Sequence, residues 1–366
     1  MKYSLSLIGN LKELLPNDFD VEAANKQTVN ADGSPWYIKL FMGFCGWLSA
    51  LFVLSFFGLG LFQIWGNEFA LYATGVTFLG LAYFVLKQSE SEFITHLGLA
   101  ISFTGQFFIA AGIFETAGNI STEVWAAITF MHCLLACVMP SYLHRVMSAY
   151  FATITLALCL AEMGLASFYS GILLFVVALM WLNEYTFSSR VKHIQAIAYG
   201  ASFGLLQFKT SILFIGAGTW EYEALAGIHP WLDEGLNLSV LYYIVFILIK
   251  KRGLPTLEKN HSSTSLQLIQ TKILSLFVFL LISFATFFAN GIALGLSIIL
   301  LGYSAQNKAL FVMGIIACVV NLSSYYYLLE TSLLNKSFIL CTLGIFSLLL
   351  AYAYKRINLN VKIADE

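Results

Sequence analysis

Long apolar runs separated by short polar stretches set the rhythm of this chain. Twelve of them are long enough to read as membrane-spanning helices, since lipid offers no hydrogen-bond partner to a bare backbone. They are predicted at 39–65, 69–86, 94–114, 124–139, 147–166, 168–183, 194–215, 236–249, 273–289, 292–304, 309–328 and 337–354. Two of these, 236–249 and 292–304, are short. They are expected to be lengthened by snorkelling ends or to be half-helices. The expected fold class is all-α, a polytopic transmembrane helical bundle of about twelve spans.

Three stretches lie outside the predicted lipid zone: an N-terminal segment 1–36, a loop 218–235 and a loop 250–271. A helical domain covers 37–356, and a tail covers 357–366. Within the first segment Leu5, Ile8, Leu11 and Leu15 share one helical face until Pro16 ends the pattern. That pattern predicts a short amphipathic helix lying on the membrane or docked on the bundle. The segment has no long apolar core, so no cleavable leader is expected there, and the first span should start insertion uncleaved.

Cations set the expected orientation. With the N-terminus in the cytoplasm and the spans alternating, seventeen of the nineteen Lys and Arg fall on the inner side. Only Lys336 is outer, and Lys209 lies within a span. Both termini are therefore expected in the cytoplasm. The outer loop is then 218–235, and the inner loop is 250–271, opening with Lys250, Lys251 and Arg252. Trp65, Trp125 and the Tyr325, Tyr326, Tyr327 run are placed at outer ends, and Trp36 and Trp181 at inner ends. There their rings are expected to sit at headgroup level.

Composition strengthens this picture. Hydrophobic residues make up 59% of the 366 and charged residues 11%, against about 45–50% and about 25% in soluble domains. A soluble surface of this size would need more charge than that. A net charge of −1 points to no nucleic-acid partner. All six cysteines fall inside predicted spans, which argues against an external disulfide framework and predicts small apolar core residues.

Polar side chains inside spans are the best pointers to function, because lipid makes them costly. Lys209, in GLLQFKTSILF, is the strongest. It should face protein or water and have an acidic partner, with Glu162 the expected one and Glu115 the alternative. His132 is accompanied by Met131, Cys133, Cys137 and Met139, all soft or imidazole ligands. One helix hardly closes a metal site, so a hydrogen-bonded core histidine is the expectation. Gln63, Gln106, Asn183, Gln207 and Asn321 are predicted interhelical hydrogen-bonders, and Gln207 is close enough to Lys209 to share a polar seam. Gly200/Gly204 and Gly291/Gly295 each make a GxxxG pattern suited to close helix approach. The outer loop is acidic and aromatic, with Trp220, Glu221, Tyr222, Glu223, His229, Trp231, Asp233 and Glu234. It reads as an amphipathic lid or partner-docking surface. No G-x-S-x-G, Walker A, HExxH or dinucleotide fingerprint sits at a plausible place, and no catalytic residue, metal or cofactor is expected.

The run FMGFCGWLSALFVLSFFG at the first span, with its G-x-x-G-W element of Gly43, Gly46 and Trp47, resembles the opening of an uncharacterised bacterial family. Its members are polytopic inner-membrane proteins grouped as a numbered domain of unknown function. The resemblance implies a bacterial inner-membrane location. It also implies a neighbouring partner, a small membrane-anchored protein of a family named for a Gly-Asp-Tyr motif. It brings no functional residues with it.

The leading expectation is a non-enzymatic component of a membrane complex, with a partner on the outer loop or a helix face. The first alternative is a secondary transporter with a polar site around Lys209 and Glu162. The second is a membrane enzyme acting on a lipid-linked substrate, for which the chain supplies only Glu115, Glu123 and the outer loop.

Overall fold

Apolar runs almost free of proline fold as helices, and the two prolines among the described residues, Pro140 and Pro230, mark helix boundaries. The computed structural model describes residues 66–88, 92–184, 190–214, 230–252 and 291–328, together with Thr186 and scattered positions in 41–56 and 332–352. Among the described residues nine continuous α-helices form, and no strand. They are α1 (Glu68–Gln88), α2 (Glu92–Ala117), α3 (Thr122–Val138), α4 (Tyr142–Glu162), α5 (Ala166–Leu182), α6 (Val191–Phe214), α7 (Pro230–Arg252), α8 (Ile292–Ser304) and α9 (Lys308–Leu328). Pro140 follows α3 and forces Met139 into extended backbone (ψ 138°), which ends that helix. Pro230 is the first residue of α7, where its missing N–H has no intrahelical partner to lose. Asn67 caps α1 by accepting from the Ala70 N–H (3.1 Å), and Asn307 caps α9 by accepting from the Leu310 N–H (3.2 Å).

Four helices are long and apolar enough to cross a bilayer: Glu68–Gln88, Phe93–Ala117, Tyr142–Glu162 and Trp231–Leu248. The exterior is apolar to match. Phe130, Leu134 and Val138 on α3 are exposed, as are Val312, Ile316 and Val319 on α9. Meanwhile Ser148, Ser170, Ser202, Glu234, Asn237 and Ser297 are buried. An apolar exterior together with buried serines and a buried carboxylate suits a protein surrounded by lipid.

The described residues divide into two compact units, one drawn from Met1–Ile64 and Gly75–Phe107, the other from Trp65–Thr74 and Phe108–Glu366. In the first, Gly105 brings α2 against α1 so closely that a Cβ there would lie 2.9 Å from the Gly75 carbonyl oxygen. The second is a bundle in which α4 packs on α3 and α6, α5 on α6 and α7, and α8 on α7 and α9. Leu174, Val177, Leu205, Ile244, Ile298 and Leu310 form its core. In lipid, burial of apolar side chains does not draw such a core together as it does in water. Close packing and interhelical hydrogen bonds take that role.

Three sequence expectations change. The short span predicted at 236–249 is the second half of a 23-residue helix, α7. Asp233, Glu234 and Asn237 depress the local hydropathy, yet all three are buried, so they meet protein rather than lipid. Trp181 lies at the end of α5 as expected, but its ring faces protein: it is 2% exposed, and its indole N–H donates to Ser202 Oγ (3.3 Å). The cysteines are not uniformly core, since Cys133, Cys137 and Cys341 are exposed and only Cys159 is buried. A thiol on an outward face is indifferent to lipid, so apolar character alone does not direct it inward.

Candidate functional site

Lys209 sits five residues before the end of α6, and its ammonium needs an anionic partner at that depth. That partner is Asp233 in the first turn of α7, whose Oδ2 pairs directly with Nζ. Glu234 follows, with Oε1 3.5 Å from the same Nζ. Adjacent positions on a helix point about 100° apart, so the two carboxylates approach the ammonium from different sides. Lys209 and Asp233 side chains are 13% and 5% exposed, and Glu234 is fully buried.

Three further helices complete the cluster. From α5, Ser170 donates its hydroxyl to Asp233 Oδ1 and accepts from Asn237 Nδ2 (2.8 Å). Ahead of α8, Gly291 donates its N–H to Glu234 Oε1 (2.8 Å). Gly291 has φ 89°, a left-handed conformation that glycine adopts without a Cβ clash. From α9, Asn321 Nδ2 donates to the Gly291 carbonyl oxygen (3.2 Å). A Cβ on Gly291 would lie only 2.8 Å from Asn321 Cγ, so only glycine lets this carboxamide close in. Five helices are thus tied together by one polar chain. Glu234 Oε2 and Asn321 Oδ1 are buried, and among the described residues neither has a hydrogen-bond partner.

A groove of about 250 Å³ opens on the neighbouring face of α6. Phe203, Leu206, Gln207, Thr210 and Ser211 of α6 line it, facing Met313, Ile316, Ala317 and Val320 of α9. Thr210 is the residue after Lys209, so the charge cluster and the groove lie on adjoining faces of one helix.

Among known families, the chain from residue 35 to 357 matches the model described as Domain of unknown function (DUF4401). The chain belongs to the DUF4401 family. No curated protein and no solved structure matches it. In this DUF4401 chain the charge cluster lies wholly within the region that the family model covers.

The other expected site residues fall elsewhere. Glu162, the expected partner of Lys209, is the exposed last residue of α4, and Glu115 is exposed near the end of α2. The pairing with Glu162 is therefore corrected to Asp233 and Glu234. Similar depth along parallel helices is not contact, and the true partners lay in what read as loop. Asp233 is correspondingly no lid residue, whereas Trp231 two positions earlier is 62% exposed. Trp220, Glu221, Tyr222, Glu223 and His229 lie outside the described residues. Gln207 accepts from the Tyr150 hydroxyl (2.6 Å), an α4–α6 bond of the predicted interhelical kind. Gln106 bonds within its own helix, from Nε2 to Ser102 Oγ (3.2 Å).

His132 is 7% exposed and stacks on Phe151 with ring centroids 5.4 Å apart. Its Nδ1 has no hydrogen-bond partner among the described residues, so the expected core position holds without the expected bond at that nitrogen. Among the described residues no group of three His, Cys, Asp or Glu is arranged to hold a metal ion. Sequence reading did not single out Glu184 either: it is 2% exposed and accepts from Gln195 Nε2 (3.1 Å). Its position just past a span end resembles any solvated terminus, which leaves no signal to find it by.

Proposed function

We propose that this chain is a multi-pass protein of the bacterial inner membrane, with about twelve spans and both termini cytoplasmic. It acts as a secondary transporter for a small solute, with its polar site at Lys209, Asp233 and Glu234. One observation carries the reading: a buried ammonium and two carboxylates join five helices beside a groove on the same helix. Intramembrane charges mark ion and substrate paths, and a site shared by five helices responds to movement of any of them. Gln207, Thr210 and Ser211 give the groove polar contacts for a solute among apolar walls.

The test is current on solid-supported membranes carrying the reconstituted full chain. It is challenged in turn with amino acids, organic acids, sugars and simple cations. A solute-dependent current lost in Lys209→Ala supports transport. No current with any of these solutes, from protein shown to be folded, overturns it.

The competing reading is a non-enzymatic component of a membrane complex, with a small membrane-anchored protein as partner. What favours it is that Asp233 is fully bonded, as in a structural clamp. A stable partner recovered from native membranes, together with absence of current, would select it.

A further inference from the structure

The cluster has an imbalance that packing alone does not resolve. Lys209 contributes one positive charge; Asp233 and Glu234 contribute two negative charges when ionised. Among the described residues no other cation pairs with either carboxylate. An uncompensated charge in a fully buried side chain is what protein interiors avoid, usually by taking up a proton. The two carboxylates are not equivalent. Both Asp233 oxygens are engaged, one by Lys209 and the other by the Ser170 hydroxyl. Glu234 has only Oε1 engaged, while Oε2 is buried and unpartnered among the described residues. The second unpartnered atom, Asn321 Oδ1, is also an acceptor, held against the same Gly291 that binds Glu234. Both atoms are acceptors on side chains that bond to Gly291, and a hydrogen carried on Oε2 would supply the donor that neither now has.

We propose that Glu234 is a proton-binding site, taking up one exchangeable proton on Oε2 with Asn321 Oδ1 as its acceptor. Uptake converts the carboxylate and one solvent proton into a neutral carboxyl and leaves a balanced Lys209–Asp233 pair. The charged groups bearing on Glu234 are Lys209 on α6 and Asp233 on α7. Tyr169 on α5 bears on Asp233, and its hydroxyl is committed to the Thr153 carbonyl oxygen (3.2 Å). What α8 and α9 bring to Glu234 is neutral, the Gly291 N–H and the Asn321 carboxamide. Oε1 keeps its bond to the Gly291 N–H in either state, so the proton is gained and lost without dismantling the anchor.

Proton binding does not depend on transport, because a chain that moves no solute still carries the protonated carboxyl. Infrared difference spectroscopy of the purified full chain, titrated across pH in sodium-free buffer, reads it directly. The expected result is a protonated-carboxyl C=O band that shifts in deuterated buffer, disappears in Glu234→Gln and weakens in Asp233→Asn, where Glu234 becomes the remaining counter-ion of Lys209. A native chain without such a band, or a band that survives Glu234→Gln, overturns the proposal. Should Glu234→Gln not fold, Asn321→Ala serves instead: loss of the acceptor must move the band, and an unmoved band overturns the assignment. Thermal melting of the native chain at fixed pH supplies the last arm. A melting temperature unchanged by sodium is expected, whereas stabilisation by added sodium chloride over choline chloride would make the occupant a metal cation and overturn the proton.

Discussion

Along α6 the helix meets its neighbours in two different ways. Through Gly200 and Gly204 it lies on α4 at backbone distance: a Cβ on Gly200 would sit 2.1 Å from the Val146 carbonyl oxygen, and one on Gly204 would be 2.9 Å from Thr153 Cβ. Five residues beyond Gly204, Lys209 reaches α7 through an ion pair supported by hydrogen bonds from three other helices or their caps. The first seam is neutral and works by exclusion of side chains. The second is charged and works by mutual satisfaction. Both are answers to the same constraint, since lipid tails are as apolar as leucine and the hydrophobic effect does not drive helices together. The difference is in what each can do besides hold. A glycine seam has one arrangement, whereas a charge cluster with a spare acceptor has two protonation states.

The sharpest way to break this comparison is Lys209→Met, which leaves two buried carboxylates without their cation. A loss of about 3–5 kcal/mol is expected, the range for breaking one side of a buried pair. It is read from reversible unfolding in mixed micelles, and a loss below about 1 kcal/mol would show that the pair is not truly interior. The triple change Lys209→Met, Asp233→Asn, Glu234→Gln should recover much of that loss, because no charge is left buried. If the triple variant is no better than Lys209→Met, the charges are not the source of the effect.

Next in size is Gly200→Val. The obstacle is a backbone oxygen, which cannot swing aside as a side chain would, so about 3 kcal/mol is expected, at the upper end for overpacking. The same unfolding assay checks it, and wild-type stability would mean that α4 and α6 separate freely. Ser170→Ala removes one donor and one acceptor from the cluster and should cost about 1–2 kcal/mol. A neutral outcome would place Ser170 outside the polar chain. Smallest is Glu162→Gln, expected within about 0.5 kcal/mol of the native chain because that carboxyl is exposed and makes no pair with Lys209. A large loss there would restore the partnership that the structure removes.

How much of this was legible depends on the range over which each signal acts. A cation in an apolar run stands out from a few neighbours, and so does a pair of glycines four apart. Lys209 and the Gly200/Gly204 seam could therefore be found without a fold. Several helix ends within the described region fall within about three residues of the predicted ones, but α4 begins at Tyr142 rather than 147 and α7 at Pro230 rather than 236. Asp233 and Glu234 were not readable. They follow Pro230 among polar and aromatic neighbours, and averaged hydropathy assigned them to a loop. Nothing local distinguishes a solvated acidic turn from a buried one.

The residues themselves determined that the chain is helical and apolar outside, that it has one charge to hide within α6, and that this charge would need an acid. Only the tertiary structure decided which acid. It also decided that Gly291 would hold Glu234 by its N–H, and that Asn321 would face the same glycine across 30 positions. Backbone conformation and apolar patterning are properties of neighbours in sequence. The choice of a partner in a low-dielectric interior is settled by which side chains packing brings within hydrogen-bond distance.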